Sequence, residues 1–158
     1  MPRTLTELSA IRTARAEMMA TAALSLETGG ESFVEITGEV VRFLENIGAR
    51  EGLLLLYLRH TSASLVIQEN ADAEVRADLV TALRRLAPAN AGWVHAVEGP
   101  DDMPAHIKSM LNGVSLHVPV IGGKMALGTW QGIYVAEHRQ RSQRRELILQ
   151  FLGSCAPK

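Results

Sequence analysis

The spacing of apolar positions divides the chain into elements. Val40, Val41, Leu44 and Ile47 recur at helical spacing and Gly48 follows, which predicts a first helix. Val75, Leu79, Leu83 and Leu86 predict a second, two-sided helix that Pro88 ends. A third starts at Asp102, expected as its N-cap, with Pro104 in the first turn and Met103, Ile107, Met110 and Leu111 as its apolar face. Gly52–Leu58 is apolar on both faces, as in a strand central in a sheet or covered on both sides. "TAALSLET" and "SFVEIT" flank Gly29–Gly30 as hairpin strands would. Beyond Val114 the pattern is mostly strand. "SLHVPV" and "KMALGTW" flank the turn Gly122–Gly123, and "QGIYVAEHR" is expected to pair with "RELILQFLG" across "QRSQ". Strands outnumber helices and most are expected to be joined by hairpins. The expected class is α+β, a largely antiparallel sheet or sandwich with about three helices. Residues 1–19 read as an N-terminal extension, either a short helix opened by the capping box Thr4-x-x-Glu7 or a surface arm, and residues 20–158 as a single domain.

Composition narrows the class. A chain of 158 residues is long enough to bury a core without a disulfide or metal staple. Its 47% hydrophobic and 21% charged residues are those of an ordinary globular protein. The net charge of −1 gives no overall case for a nucleic-acid partner. The single cysteine, Cys155, excludes an internal disulfide framework. No apolar run approaches the ~18 residues of a spanning helix, and no signal-peptide core is visible, so the expectation is a cytoplasmic protein with no membrane partner.

The candidate chemistry lies where the apolar runs break. After Leu58 come Arg59 and His60, then the hydroxyls Thr61, Ser62 and Ser64, before Leu65-Val66-Ile67 turns apolar again. The break is expected to present His60 and the hydroxyls at a pocket mouth before the chain rejoins the same sheet. "EGPDDMPAHIKS" crowds Glu98, Asp101 and Asp102 before a helix start, more carboxylates than capping requires. Lys108 follows His106 by two residues, so the two face different ways. In "GTWQGIYVAEHR", Trp130, Gly132, Tyr134 and His138 share one face of an unbroken strand, and Gln131, Glu137 and Arg139 share the other. Gly132 there leaves room for a flat aromatic floor, and Glu137 with Arg139 reads as a charge pair. His117, within a strand, is expected to face solvent. His60, His95, His106 and His138 each stand at an element end beside carboxylates. Imidazole is a common ligand of zinc and related metals, and carboxylates orient it. No two of these histidines have i, i+4 spacing, so any metal site must be assembled by the fold.

"HTSASLVIQENAD", "EGPDDMPAHIKSMLNGVSLHVPV" and "LGTWQGIYVAEHR" resemble the motifs of the YjbQ family, also called UPF0047 or secondary thiamine-phosphate synthase, over residues 20–153. The resemblance implies a compact α+β domain, a homotrimer, and a divalent metal, zinc or magnesium, held by the matching histidines His60, His95, His106 and His138. It also implies an activity that joins a pyrimidine pyrophosphate to a thiazole phosphate, giving thiamine phosphate and pyrophosphate.

Loss of pyrophosphate from a pyrimidine methylene leaves a delocalised cation, so the chemistry needs charge neutralisation on the leaving group more than a nucleophile. Arg59, Lys108 and Arg139 could supply positive charge, Thr61, Ser62 and Ser64 hydrogen bonds to phosphate oxygens, and Trp130 with Gln131 a face for the heteroaromatic ring. His60, Asp102, His106, Glu137 and His138 are the candidate catalytic residues. Two other readings stay open. One is a metal-dependent phosphoester hydrolase using Asp101, Asp102 or Glu98 as base. The other is a non-catalytic trimeric protein that binds a metal or metabolite.

Overall fold

The computed structural model describes residues 8–156. The Thr4–Glu7 box lies outside them. Residues 8–17 form neither helix nor strand, and β1 (Met18–Thr28) begins directly after. There follow β2 (Ser32–Glu35), α1 (Thr37–Asn46), β3 (Ala49–Leu58), β4 (Ala63–Glu69), α2 (Ala73–Leu86), α3 (Asp102–Asn112), β5 (Ser115–Ile121), β6 (Lys124–Met125), β7 (Gln131–Glu137) and β8 (Gln143–Cys155).

The strands form two sheets, and every pairing is antiparallel. One sheet has the order β1-β8-β3-β5-β6 and the other β2-β7-β4. Alternate residues of each strand supply the core. Leu54, Leu56 and Leu58 of β3 and Leu147, Leu149 and Phe151 of β8 face Ile133 and Val135 of β7, Leu65 of β4, and Val40 and Leu44 of α1. The architecture is therefore the expected α+β sandwich with three helices. β3 is central in its sheet, but only one of its faces is fully buried, because Leu53 and Tyr57 on the other are 43% and 48% exposed.

The connections differ from the expectation. Of the hairpins proposed, only β5–β6 at Gly122–Gly123 forms. β1 and β2 lie in different sheets, as do β7 and β8. The break after Leu58 likewise carries the chain from β3 across to β4 in the second sheet, instead of returning it to the first. Apolar alternation fixes which face of a strand is buried. It does not say which strand lies alongside, so the crossings were invisible to it.

α3 also corrects the reading of its sequence. Asp101, not Asp102, is the N-cap residue, and neither carboxylate caps the helix. The buried face is Asp102, Ala105, Lys108 and Ser109, while Met110 and Leu111 are 77% and 56% exposed. Small side chains explain this: Ala105 and Ser109 let the helix approach β4, where Ser109 Oγ donates to the Ala63 carbonyl at 2.7 Å.

Candidate functional site

α3 stations Asp102 and His106 one turn apart on the same side of the helix. The loop after α2 brings His95 over the same point. Trp93 Nε1 donates to the Pro88 carbonyl at 2.8 Å and pins that loop back on the end of α2. Nε2 of His95 lies 2.8 Å from Asp102 Oδ2, and Nε2 of His106 lies 3.2 Å from the same oxygen. The two rings meet edge to face with centroids 5.8 Å apart. Three ligand atoms, from His95, Asp102 and His106, lie within 4.8 Å of one another, the only such group among the described residues.

Hydrogen bonding orients each donor. The Asp102 side chain is 1% exposed, and its Oδ1 accepts from Arg139 Nη1. Arg139 also donates through Nε to Asp101 Oδ2 at 3.0 Å and through Nη2 to the Glu98 carbonyl at 2.8 Å. Burial would raise the Asp102 carboxyl, but the His95 hydrogen bond and the charges of Arg139 and His106 outweigh it and hold it below the usual range. On His106, Nδ1 lies 3.0 Å from the Thr61 carbonyl, so this nitrogen carries a proton and donates. A neutral ring then presents an unprotonated Nε2 to a carboxylate oxygen. Protonating the ring relieves this mismatch, and so does a cation between Nε2 and Oδ2.

Of the four histidines, these positions bring His95 and His106 together and leave His60 and His138 elsewhere. His60 stands apart: its Nε2 accepts the Glu146 backbone N–H at 2.9 Å, and its ring lines an open cleft of about 760 Å³ together with Arg59, Thr61 and His106. His138 is 2% exposed, with Nε2 2.8 Å from Ser64 Oγ, and Ser64 is fully buried. Asn112 Nδ2 donates to the same hydroxyl at 3.2 Å. Burial, then the charge of nearby Lys108, lowers the His138 pKa to about 4. Ser64 Oγ and the Nε2 of His138 are thus engaged with each other.

Other expected site residues have structural partners. Both oxygens of Glu137 are saturated: Arg145 Nε, Arg145 Nη2, Thr28 Oγ1 and the backbone N–H groups of His138 and Arg139 all donate to it. It therefore pairs with Arg145 of β8 and not with Arg139, and it holds residues 138–139 in place. Ser62 receives Arg145 Nη2 at its carbonyl and hydroxyl. Lys108 is buried against Glu31, which also accepts from Arg84 at 2.6 Å. No aromatic floor forms. Trp130 precedes the strand and is 66% exposed, and Tyr134 is buried. The space beside Gly132 is filled, since an added Cβ would lie 2.9 Å from Glu35 Oε1 and 3.2 Å from Asn70 Cβ. Gln131 Oε1 accepts the Gly128 N–H in a turn away from the cleft. His117 is exposed, as expected.

Two further signals in the sequence point to these positions. The spacing of Asp102 and His106 is the i, i+4 spacing that the histidines lack among themselves. In β8, Arg145 alternates in step with Leu147, Leu149 and Phe151, which marks it as inward-facing.

A two-sheet α+β domain with a histidine–carboxylate centre at the start of a helix is the class that fold and site define. The chain belongs to the YjbQ/UPF0047 family: the family profile described as "UPF0047 protein YjbQ-like" matches residues 22–154. It is 45% identical to the UPF0047 protein YjbQ of Salmonella typhimurium over 131 residues, 82% of this chain and 95% of that protein. It is 43% identical to a UPF0047 protein of Synechocystis over 131 residues, covering 82% and 89% of the two chains. Among solved structures, a hypothetical protein of Aeropyrum pernix superposes with a TM-score of 0.79 at 30% identity, covering 85% of this chain and 99% of that one.

Proposed function

We propose that the chain is a metal-assisted enzyme acting on phosphorylated heteroaromatic metabolites, with thiamine-phosphate synthase activity as its nameable form. The observation that carries this reading is the convergence of His95 Nε2, His106 Nε2 and Asp102 Oδ2 on one point beside an open cleft. Two imidazoles and a carboxylate suit zinc or a related transition ion better than magnesium, which prefers an all-oxygen shell. The three residues would hold the ion, and its chemistry would be neutralisation of charge on a phosphate leaving group. The chain's own contributions are orientation and exclusion. Thr61 fixes the His106 tautomer, and Arg139 holds Asp102 from the far side. Tyr57, Met110 and Val114 give the cleft apolar surface against which a heteroaromatic ring can lie.

Hydrolysis of simple phosphoesters is the weaker reading, because its base would have to be a free carboxylate. Asp101 is held by Arg139 and by the Gln140 N–H at 2.9 Å, and Asp102 is held on both oxygens, which leaves Glu98, 66% exposed and 4.0 Å from Arg139, as the one candidate base of the three. The deciding assay compares pyrophosphate release from the pyrimidine pyrophosphate and thiazole phosphate pair with phosphate release from generic esters. The proposal expects the first to exceed the second and to vanish in Asp102→Asn. Phosphate release alone would replace it with the hydrolase, and tight binding without turnover would make the chain a binding protein.

We also propose a cytoplasmic homotrimer. What supports assembly is the outer face of the five-stranded sheet, where Met19, Leu53, Tyr57 and Leu152 are all exposed. No helix among the described residues is long and apolar enough to cross a membrane. Sedimentation at micromolar concentration should give a trimer, and a stable monomer would refute the assembly.

A further inference from the structure

The wall of the cleft beyond His60 carries chemistry that the metal centre does not use. Arg59 and His60 line the cleft beside His106 and also an adjoining recess of about 320 Å³, whose other walls are Arg144 and Glu146. The recess forms where β3 ends and β8 begins. Because Arg145 points inward with Leu147, its neighbours Arg144 and Glu146 point outward. Arg59 Nη1 lies 2.7 Å from Glu146 Oε1, so that guanidinium is held at the rim. Arg144 is exposed there.

Two guanidinium groups against one carboxylate leave the recess with a net positive charge. His60 adds a donor. Its Nε2 is occupied by the Glu146 N–H, so a neutral ring carries its proton on Nδ1. Burial, with the charge of Arg145, lowers the basicity of His60 and favours that neutral ring. Guanidinium groups present forked donors that match phosphate oxygens. The cleft that Arg59, His60 and His106 share also has apolar lining, from Tyr57, Leu58, Met110 and Val114.

We infer that Arg59, His60 and Arg144 form a phosphate subsite distinct from the metal centre. The substrate is then bipartite: a flat apolar body in the cleft, a phosphomonoester at Arg144, and its reacting group at His106. The reacting end rests on the metal-assisted reading proposed above. The phosphate end rests on the three side chains of the recess.

The test titrates phenyl phosphate into the full chain by calorimetry, using the unsubstituted protein, Arg144→Glu, Arg144→Lys and Asp102→Asn. Arg144 is exposed at the start of β8, on the outer sheet face proposed above for assembly, so thermal midpoints and sedimentation check that each variant folds and assembles as the unsubstituted chain does. Arg144→Glu is expected to weaken binding by about tenfold or more, and Arg144→Lys by less, since it keeps the charge and loses the fork. Asp102→Asn is expected to bind phenyl phosphate as the unsubstituted chain does. Equal binding by the unsubstituted chain and Arg144→Glu overturns the subsite, as does the absence of binding to the unsubstituted chain. Loss of binding in Asp102→Asn also overturns it, by putting the phosphate on the metal centre. If the chain binds no zinc but the Arg144 effect remains, the metal-assisted reading falls and the subsite stands.

Discussion

The backbone carbonyl of Thr61 lies 3.0 Å from Nδ1 of His106, and this contact joins the crossing between the two sheets to the candidate metal centre. The carbonyl belongs to the segment that leaves β3, and the ring belongs to α3. The break in the apolar pattern after Leu58 thus has a chemical consequence: it supplies a main-chain acceptor that selects the His106 tautomer.

Because the acceptor is the main chain, Thr61→Ala should leave zinc affinity within about twofold of the unsubstituted protein. Arg139→Ala frees Asp102 from its far-side anchor and should weaken affinity by about 10–100-fold, the scale of lost outer contacts at metal sites. His106→Ala should remove measurable binding. Competition with a chromogenic chelator measures all three. A Thr61→Ala protein as defective as His106→Ala would show that the hydroxyl matters and the carbonyl does not.

Lys108 and Glu31 form a buried ion pair with side chains 4% and 8% exposed. Glu31→Ala leaves the ammonium buried with no carboxylate beside it and should cost about 3–5 kcal/mol. The double variant Glu31→Gln with Lys108→Met removes both charges and should recover most of that loss. Denaturant unfolding measures both. If Glu31→Ala is neutral, the pair contributes little to the fold.

His138 gives stability a pH dependence. Its folded pKa of about 4 lies below the ordinary 6.5. Between those values the unfolded chain binds the proton and the folded chain does not, so stability rises with pH across this window. The contribution is complete above about pH 6.5 and is lost as pH falls toward 4, up to a magnitude of the order of 3 kcal/mol. Lys108, Glu137, Glu31 and Arg145 are the charges around the ring. Unfolding free energies at pH 4.5 and 7 should therefore differ less in His138→Asn than in the unsubstituted chain. Equal differences would show that His138 titrates normally.

How much of this was legible in the sequence varies by residue. The three helices follow directly from periodicity, since burial imposes it, whereas the unbroken apolar run of β3 does not say which of its faces is buried. The outward side of α3 was misread because Met103, Ile107, Met110 and Leu111 look like a core stripe. The helix instead packs through Ala105 and Ser109, whose small side chains leave no hydrophobic signal. His95 and His106 were named as ligands from the motifs they sit in. His60 and His138 were named for the same reason, but a motif cannot say which of its histidines turns inward. For His138 that depends on β4 lying beside β7, which places Ser64 against it. Long-range pairings of this kind are set by the whole fold.

His95, Asp102 and His106 are proposed to hold one metal ion together. Anomalous diffraction at the zinc edge, on crystals of protein supplied with zinc, tests it most directly. A single strong peak is expected among His95 Nε2, His106 Nε2 and an Asp102 oxygen, absent in Asp102→Asn. A peak at His60 or His138, or no peak at the three donors with zinc in excess, would contradict it.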